Sequence, residues 1–141
     1  MPVDTGFRTI EHTADVGIAA WGADLKQAFA ASGRGLLSLI VDLRTVRERL
    51  EREIEITAAD RESLLVEWLN ELIYLFDTEL LLLRRFEITR LTNRQLTARA
   101  YGEPVNTTRH HLKTGIKAAT YHRLRVVETT DGGRVQVIFD I

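Results

Sequence analysis

The stretch Ile10–Gly22, IEHTADVGIAAWG, decides how the first part of the chain folds. Apolar residues at both ends of the stretch predict two short β-strands, Phe7–Glu11 and Val16–Trp21, with a polar turn between them. Asp24 and Gln27 then form the pattern of a capped helix N-terminus. The stretch therefore predicts a strand pair that leads directly into a helix.

The remaining elements follow from the spacing of apolar residues. Two helices are predicted, over Asp24–Val41 and after Asp60, because apolar residues recur at helical spacing there. The predicted strands come in runs instead of alternating strictly with helices: Glu51–Ala58, Phe86–Leu91 with Gln95–Tyr101, and Ile116–Glu128 with Arg134–Ile141. This order predicts a single α+β domain over residues 1–141, with a mostly antiparallel or mixed β-sheet and two main α-helices packed on one side.

Composition excludes several classes of site. The chain has 141 residues, a net charge of −1 and no cysteine, so disulfides, iron–sulfur clusters and thiolate zinc sites are excluded. No basic-then-apolar signal pattern opens the sequence, and its apolar runs are too short to span a bilayer. We therefore expect a cytoplasmic protein that does not enter a membrane.

Carboxylates near the two ends of the chain form a candidate metal site. Asp15 lies in the turn after the first strand, Asp140 is next to last, and Ile141 contributes a terminal carboxylate. Aspartates in turns usually hydrogen-bond to nearby backbone amides, and chain ends usually fray. The last strand nevertheless forms a strongly β-forming run, so its end is expected to be held in place. Oxygen ligands of this kind suit a hard divalent cation such as calcium or magnesium.

Basic and histidine residues supply further candidates. Lys113 and Lys117, with Arg109 nearby, form a locally basic region that would suit RNA or an acidic partner, although plain surface charge also explains it. His12 is a lone histidine at a strand end, a place where histidine is more often structural than a ligand. From the residues alone, a small metal-dependent hydrolase that uses Asp15 and Asp140 and an RNA-binding module both remain open.

Four blocks of the sequence resemble the archease family. They are the opening EHTADVGIAAWG, the helix LLVEWLNELIYLFDTE, the segment KAATYH at 117–122 and the terminal VIFDI, and they span nearly the whole chain in the family's order. The resemblance implies a non-catalytic accessory protein for an RtcB-type RNA-splicing ligase. Such ligases join RNA ends that carry a 2′,3′-cyclic phosphate and a 5′-hydroxyl, with GTP and manganese.

The resemblance also implies partners and site residues. Archeases promote guanylylation and multiple turnover of the ligase in tRNA splicing or RNA repair, and some are linked to tRNA methyltransferase specificity. The family's metal-binding positions correspond to Asp15, Asp140 and Ile141, where calcium, magnesium or manganese is expected. From the residues themselves, we further expect His12 to hydrogen-bond a metal ligand, and Lys113, Lys117 and Arg109 to face the ligase or RNA. In one departure from the family, Gly115 stands where members often carry an acidic residue.

Overall fold

A computed structural model describes residues 4–11 and 15–141. Within these ranges the chain forms helices and strands whose caps are set by the sequence. The Asp24 carboxylate accepts a hydrogen bond from the Gln27 N–H at 2.9 Å, and Asp60 does the same for Ser63 at 2.8 Å. The elements are β1 Gly6–Glu11, β2 Val16–Gly22, α1 Leu25–Ile40, β3 Leu50–Thr57, α2 Arg61–Glu79, β4 Leu81–Leu91, β5 Gln95–Pro104, β6 Ala118–Ala119, β7 Arg125–Thr129 and β8 Gly132–Asp140.

The strands form two antiparallel sheets. In the first sheet the order is β1-β2-β8-β6. Strand β7 pairs with the same side of β8 as β6 does, but with the first half of β8 instead of its end. In the second sheet the order is β3-β5-β4. The α+β class, the two main helices and the antiparallel pairing agree with the sequence prediction. The expectation of one sheet with both helices on one side was too simple, because α1 and α2 each contact both sheets.

Helix α1 lies between the two sheets and is buried around most of its circumference. A Cβ added at Gly33 would lie 3.1 Å from the Phe86 ring of the second sheet. A Cβ added at Gly35 would lie 2.9 Å from Ile18 of the first sheet. Glycine at both positions therefore lets the two sheets approach the helix closely, although it weakens the isolated helix.

Helix α2 is joined to α1 through Trp68. The Trp68 side chain is fully buried, and its indole N–H donates a hydrogen bond to the Phe29 carbonyl at 3.1 Å. Its ring also meets Phe86 edge-on, with centroids 5.6 Å apart. One side chain thus contacts the other helix and the second sheet. Among the described residues, no helix is long and apolar enough to cross a membrane.

Two predicted strand boundaries were wrong. The expected strand 116–128 is divided into β6 and β7, because the chain turns between them and Arg123 adopts a left-handed conformation with φ 52°. The strand expected from Phe86 starts earlier, at Leu81, directly after Leu80 ends α2 with φ 53°. In both places a single non-glycine residue with positive φ sets the boundary, and apolar spacing carries no signal for it.

Replacing Trp68 by Ala is expected to destabilise the fold by about 3–5 kcal/mol, because it leaves a cavity in the core and removes the hydrogen bond that joins α2 to the Phe29 carbonyl. Urea unfolding of the variant and the wild type measures this difference. The matched control is Tyr74→Ala on the same helix, where the side chain is 59% exposed and a change below about 1 kcal/mol is expected. Equal losses in both variants would contradict the packing described for Trp68.

Candidate functional site

The two predicted aspartates lie at one end of two neighbouring strands, β2 and β8, of the first sheet. The register pairs Val16 of β2 with Phe139 of β8. The next position outward is Asp15, directly before β2, on one side and Asp140, the last residue of β8, on the other. Adjacent positions on antiparallel neighbours project to the same face of a sheet. Residues that are almost the whole chain apart in sequence are therefore brought together.

The donor atoms at this end of the strands fit a hard divalent cation. Asp140 is exposed, Asp15 is half-buried with a buried Oδ1 atom, and Ile141 is 46% exposed. Every donor in the set is an oxygen, as calcium and magnesium prefer. In residues 4–11 and 15–141, no three histidine, aspartate or glutamate side chains form a cluster suited to a metal, so the predicted set depends on backbone oxygens of Ile141 for its third donor. His12 lies outside the described residues.

Backbone hydrogen bonds hold the end of β8 in place. The Lys117 N–H donates to the Asp140 carbonyl at 2.8 Å, and the Thr120 N–H and hydroxyl both donate to the Ile138 carbonyl, at 3.0 and 2.8 Å. On the far side of β6, the Ala119 N–H donates to the Asn70 side chain of α2 at 2.8 Å. The end of the strand is thereby tied to both its neighbour strand and a helix.

Asn70 is a positioning residue that the sequence did not reveal. Its place on the polar face of α2, beside Glu67 and Glu71, suggests a solvated side chain. In the structure it is half-buried and satisfies a backbone donor of β6. The sequence signal was an amide among acids on a helix face, which indicates a hydrogen bond only once the position of β6 is known.

Lys113 and Lys117 lie on the segment that leads into β6. The Lys113 N–H donates to the Ile40 carbonyl at 2.7 Å, and its ammonium group donates to the Ser38 carbonyl at 3.2 Å. A cation at the C-terminus of α1 is favourable, because the last carbonyls of a helix carry partial negative charge. The Lys117 side chain is exposed beside the end of β8. Lys117 therefore lies beside Asp140, whereas Lys113 lies four residues earlier, at the C-terminus of α1.

Arg109 is held inside the molecule instead of facing outward. Its two terminal nitrogens bind the Glu103 carboxylate at 2.6 and 2.9 Å, and one of them also donates to the Thr45 carbonyl. His110 completes the cluster: its Nδ1 accepts from the Asn106 N–H, so a neutral ring carries its proton on Nε2, which lies 3.1 Å from Glu103. This geometry gives Arg109 a structural role, and we keep only the two lysines as partner-facing candidates.

The Glu103 carboxylate is almost completely buried and is therefore sensitive to its partners. The hydrogen bonds from Arg109 lower the pKa of Glu103 to about 2, with a further contribution from the Arg47 N–H, whereas burial opposes this shift. The carboxylate thus remains ionised and holds the segments that follow α1 and β5 together. Removing its charge would leave Arg109 partly buried without an anionic partner.

Gly115 occupies an open position on the segment between the two lysines. A Cβ added there would meet no atom within 4 Å, and its φ does not lie in the left-handed region. An acidic side chain would therefore fit without displacing any described residue. The local structure would therefore accommodate the acidic residue that the family resemblance leads us to expect at this position.

Comparison with known proteins agrees with this architecture. Residues 7–141 match the model of the archease protein family (MTH1598/TM1083). The chain belongs to the archease family. It is 35% identical to the protein archease of Methanosarcina acetivorans, over 96% of this chain and 95% of that protein. It is 39% identical to the protein archease of Pyrococcus abyssi, over 86% of this chain and 88% of that protein.

Solved structures share the archease fold described above. The solution structure of Methanobacterium thermoautotrophicum protein 1598 matches with a TM-score of 0.81 and 32% identity, over 96% of this chain and 99% of that one. A crystal structure from Thermotoga maritima, described as an archease and possible chaperone, matches with a TM-score of 0.66 and 23% identity, over 94% of each chain. The second likeness supports the fold alone.

Replacing Glu103 by Gln is expected to reduce stability at neutral pH and to have less effect in acid. The folded-state pKa of Glu103 lies below its ordinary value of 4.5, so the ionised group stabilises the fold above about pH 4.5. That contribution is lost as the pH falls toward 2, and the difference between wild type and variant should shrink. Urea unfolding across this pH range measures it, with the exposed Glu55→Gln as control. A difference that stays constant with pH would contradict the assignment.

Replacing Gly115 by Asp is expected to change the free energy of unfolding by less than about 1 kcal/mol, because the side chain points into open space. Thermal unfolding of the two proteins measures the change. Gly33→Asp is the contrasting variant, since its added atoms would meet Phe86 and should destabilise the fold strongly. A large loss at Gly115 would show that the segment is more tightly packed than described.

Proposed function

We propose that this archease is a non-catalytic accessory protein that activates an RtcB-type RNA-splicing ligase, promoting its guanylylation and multiple turnover in tRNA splicing or RNA repair. The observation that supports the proposal most directly is that Asp15 directly precedes β2 and Asp140 ends β8, so both residues lie next to the Val16–Phe139 pair at one end of the first sheet. Membership of the archease family supports the proposal, because the family resemblance implies this class of partner.

Asp15, Asp140 and the backbone oxygens of Ile141 would hold the metal ion. Calcium, magnesium and manganese all accept such oxygen donors. When bound, the ion would supply positive charge against phosphate groups, which guanylyl transfer requires. The Asp140 side chain is exposed, so a site built on it would face a partner and not a closed cavity.

The residues around this end of the sheet have roles that do not depend on the ion. The Thr120 hydroxyl donates to the Ile138 carbonyl of β8, and the Asn70 side chain accepts from the Ala119 N–H of β6, which pairs with the end of β8. The Asp140 side chain therefore projects from a strand that is held in place. Lys113 and Lys117 place two cations on the neighbouring segment, where they would attract the ligase or its RNA. A tRNA methyltransferase would be a second partner that binds the same surface.

Replacing Asp140 by Asn is expected to lower divalent-ion affinity and to reduce ligase activation toward the level without added protein, because a hard cation loses one of few anionic ligands. Calorimetry with calcium, magnesium and manganese measures the first effect. The second is measured with the cognate ligase, GTP, manganese and RNA that carries a 2′,3′-cyclic phosphate and a 5′-hydroxyl. The fold should persist, since the side chain is exposed.

The matched control is Asp77→Asn, which removes the same charge from an exposed position on α2. It should activate the ligase like the wild type. A two-residue extension after Ile141 tests the third donor, because it moves any terminal charge without altering a side chain. Full activation by folded Asp140→Asn protein would overturn the proposal. Turnover of the RNA by this protein alone would instead identify a metal-dependent hydrolase.

A further inference from the structure

The outer face of the first sheet carries a patch of basic and aromatic side chains. This face points away from α1, because Ile18, Ala20, Val135 and Val137 on the alternate positions are buried in the core. We call the patch the basic face and define it by the side chains of Arg8, Trp21, Arg125, Arg134 and Gln136.

Strand register arranges the basic face in two rows across the sheet. In one row Arg8 pairs with Ala19, Ala19 with Gln136, and Gln136 with Arg125. In the next row Trp21 pairs with Arg134, which pairs with Val127. Since neighbouring strands are about 4.8 Å apart, Arg8 and Arg125 stand about 14 Å from each other with Arg134 between them. The three arginines therefore form a broad array.

The guanidinium groups of the basic face have no carboxylate partners among the described residues. The outer face of the second sheet is different, because Arg85 and Arg99 have carboxylate partners there. Arg99 lies near Glu51, and Arg85 forms ion pairs with Glu48 and Glu87 at 2.8 and 2.7 Å. The second sheet thus exposes ion-paired arginines, whereas the three arginines of the basic face have no carboxylate within ion-pair distance among the described residues.

The basic face forms a depression of about 700 Å³. Of the described residues that line it, Asp131 is the one acidic residue, so three arginines leave a positive charge there. Trp21 lies half-exposed on this face. Its ring packs beside Gly6, where an added Cβ would lie 3.1 Å from the ring. A flat apolar ring beside cationic donors offers a stacking surface next to anion-binding groups.

We propose that the basic face binds single-stranded nucleic acid, with phosphates on Arg8, Arg125 and Arg134 and a base stacked on Trp21. Sheet faces that combine an aromatic platform with a positive groove bind single strands in this way. Spaced guanidiniums match the repeating charge of a phosphate backbone, and Gln136 adds a donor and an acceptor for a base edge. An acidic peptide would use the arginines but would have no need for the exposed indole.

The basic face is separate from Asp15 and Asp140 but lies on the same side of the first sheet. Gln136 and Asp140 are four residues apart on β8, about 13 Å, and Ile138 between them is buried over Gly17. A strand bound across the arginines would therefore pass about 13 Å from Asp140. This binding does not depend on ligase activation and is measured on the isolated protein.

Fluorescence anisotropy with a labelled single-stranded RNA of about 12 nucleotides tests the proposal, since sheet-based domains cover about 4–16 nucleotides. The triple variant Arg8→Ala, Arg125→Ala, Arg134→Ala is expected to bind at least about tenfold more weakly at low salt. Its log–log salt slope should be smaller by about 2, because each phosphate contact on a single strand contributes about 0.7. All three side chains are exposed, so the variant should fold.

The matched control removes three other exposed arginines, Arg49, Arg90 and Arg94, whose side chains form no ion pair in the described part of the chain. It has the same net charge as the test variant and should bind like the wild type. Trp21→Leu should also weaken binding while leaving the salt slope unchanged. Because Trp68 is fully buried, quenching of tryptophan fluorescence by the RNA should disappear in this variant.

Three results would overturn the proposal. The first is no salt-dependent binding by the wild type, and the second is an equal loss in the test and control variants. The third is displacement of the RNA by polyglutamate at equal charge concentration, which would identify an acidic protein segment as the occupant. Loss confined to the arginine and Trp21 variants, with resistance to polyglutamate, supports a nucleic-acid surface.

Discussion

The burial of α1 between two sheets is the constraint on which the rest of the structure depends. The helix presents Gly33 to Phe86 of the second sheet and Gly35 to Ile18 of the first, so both sheets reach van der Waals contact with it. Its Phe29 carbonyl accepts the Trp68 N–H, which fixes α2 beside it. Larger residues at the two glycines would separate the layers and expose the core. Two small residues, two positions apart, therefore set the distance between the layers.

Because both helices lie inside, the outer faces of both sheets are available for charge. The second sheet uses its face for ion pairs between Glu51 and Arg99 and between Glu87 and Arg85, which contribute little to stability at an exposed surface. The first sheet leaves its arginines without carboxylate partners among the described residues and places Asp15 and Asp140 at one end. The alternation of residues along β2 and β8 thus places apolar side chains in the core and leaves arginine and aspartate side chains on the outer face.

Local features of the sequence predicted local structure well. Asp24 and Asp60 were recognised as helix caps, because a carboxylate before an apolar stripe satisfies the first free N–H groups of a helix. Strand alternation located β3 and β8 closely. The division into two sheets could not be predicted in this way, since it depends on pairings such as Glu53 with Arg99 that join distant segments.

The site was predicted in part for the same reason. Asp15 and Asp140 were chosen for their chemistry and for a family resemblance; the strand register puts both next to the Val16–Phe139 pair, and their role as metal ligands stays a prediction. Arg109 was assigned to a partner surface because its burial against Glu103 cannot be read from charge alone. Asn70 was overlooked because its acceptor role requires knowledge of β6. Side chains that satisfy groups on distant segments are the ones that a local pattern misses.

The position of β8 has a consequence for the order of folding during synthesis. Strands β3, β4 and β5 are close in sequence, so the second sheet can pair while translation continues. In the first sheet β2 must wait for β8, which leaves the ribosome after every other strand described here. Until then the β1–β2 hairpin has an unpaired edge, and such edges recruit strands from other chains. The nascent protein is therefore most prone to aggregation just before its final strand arrives.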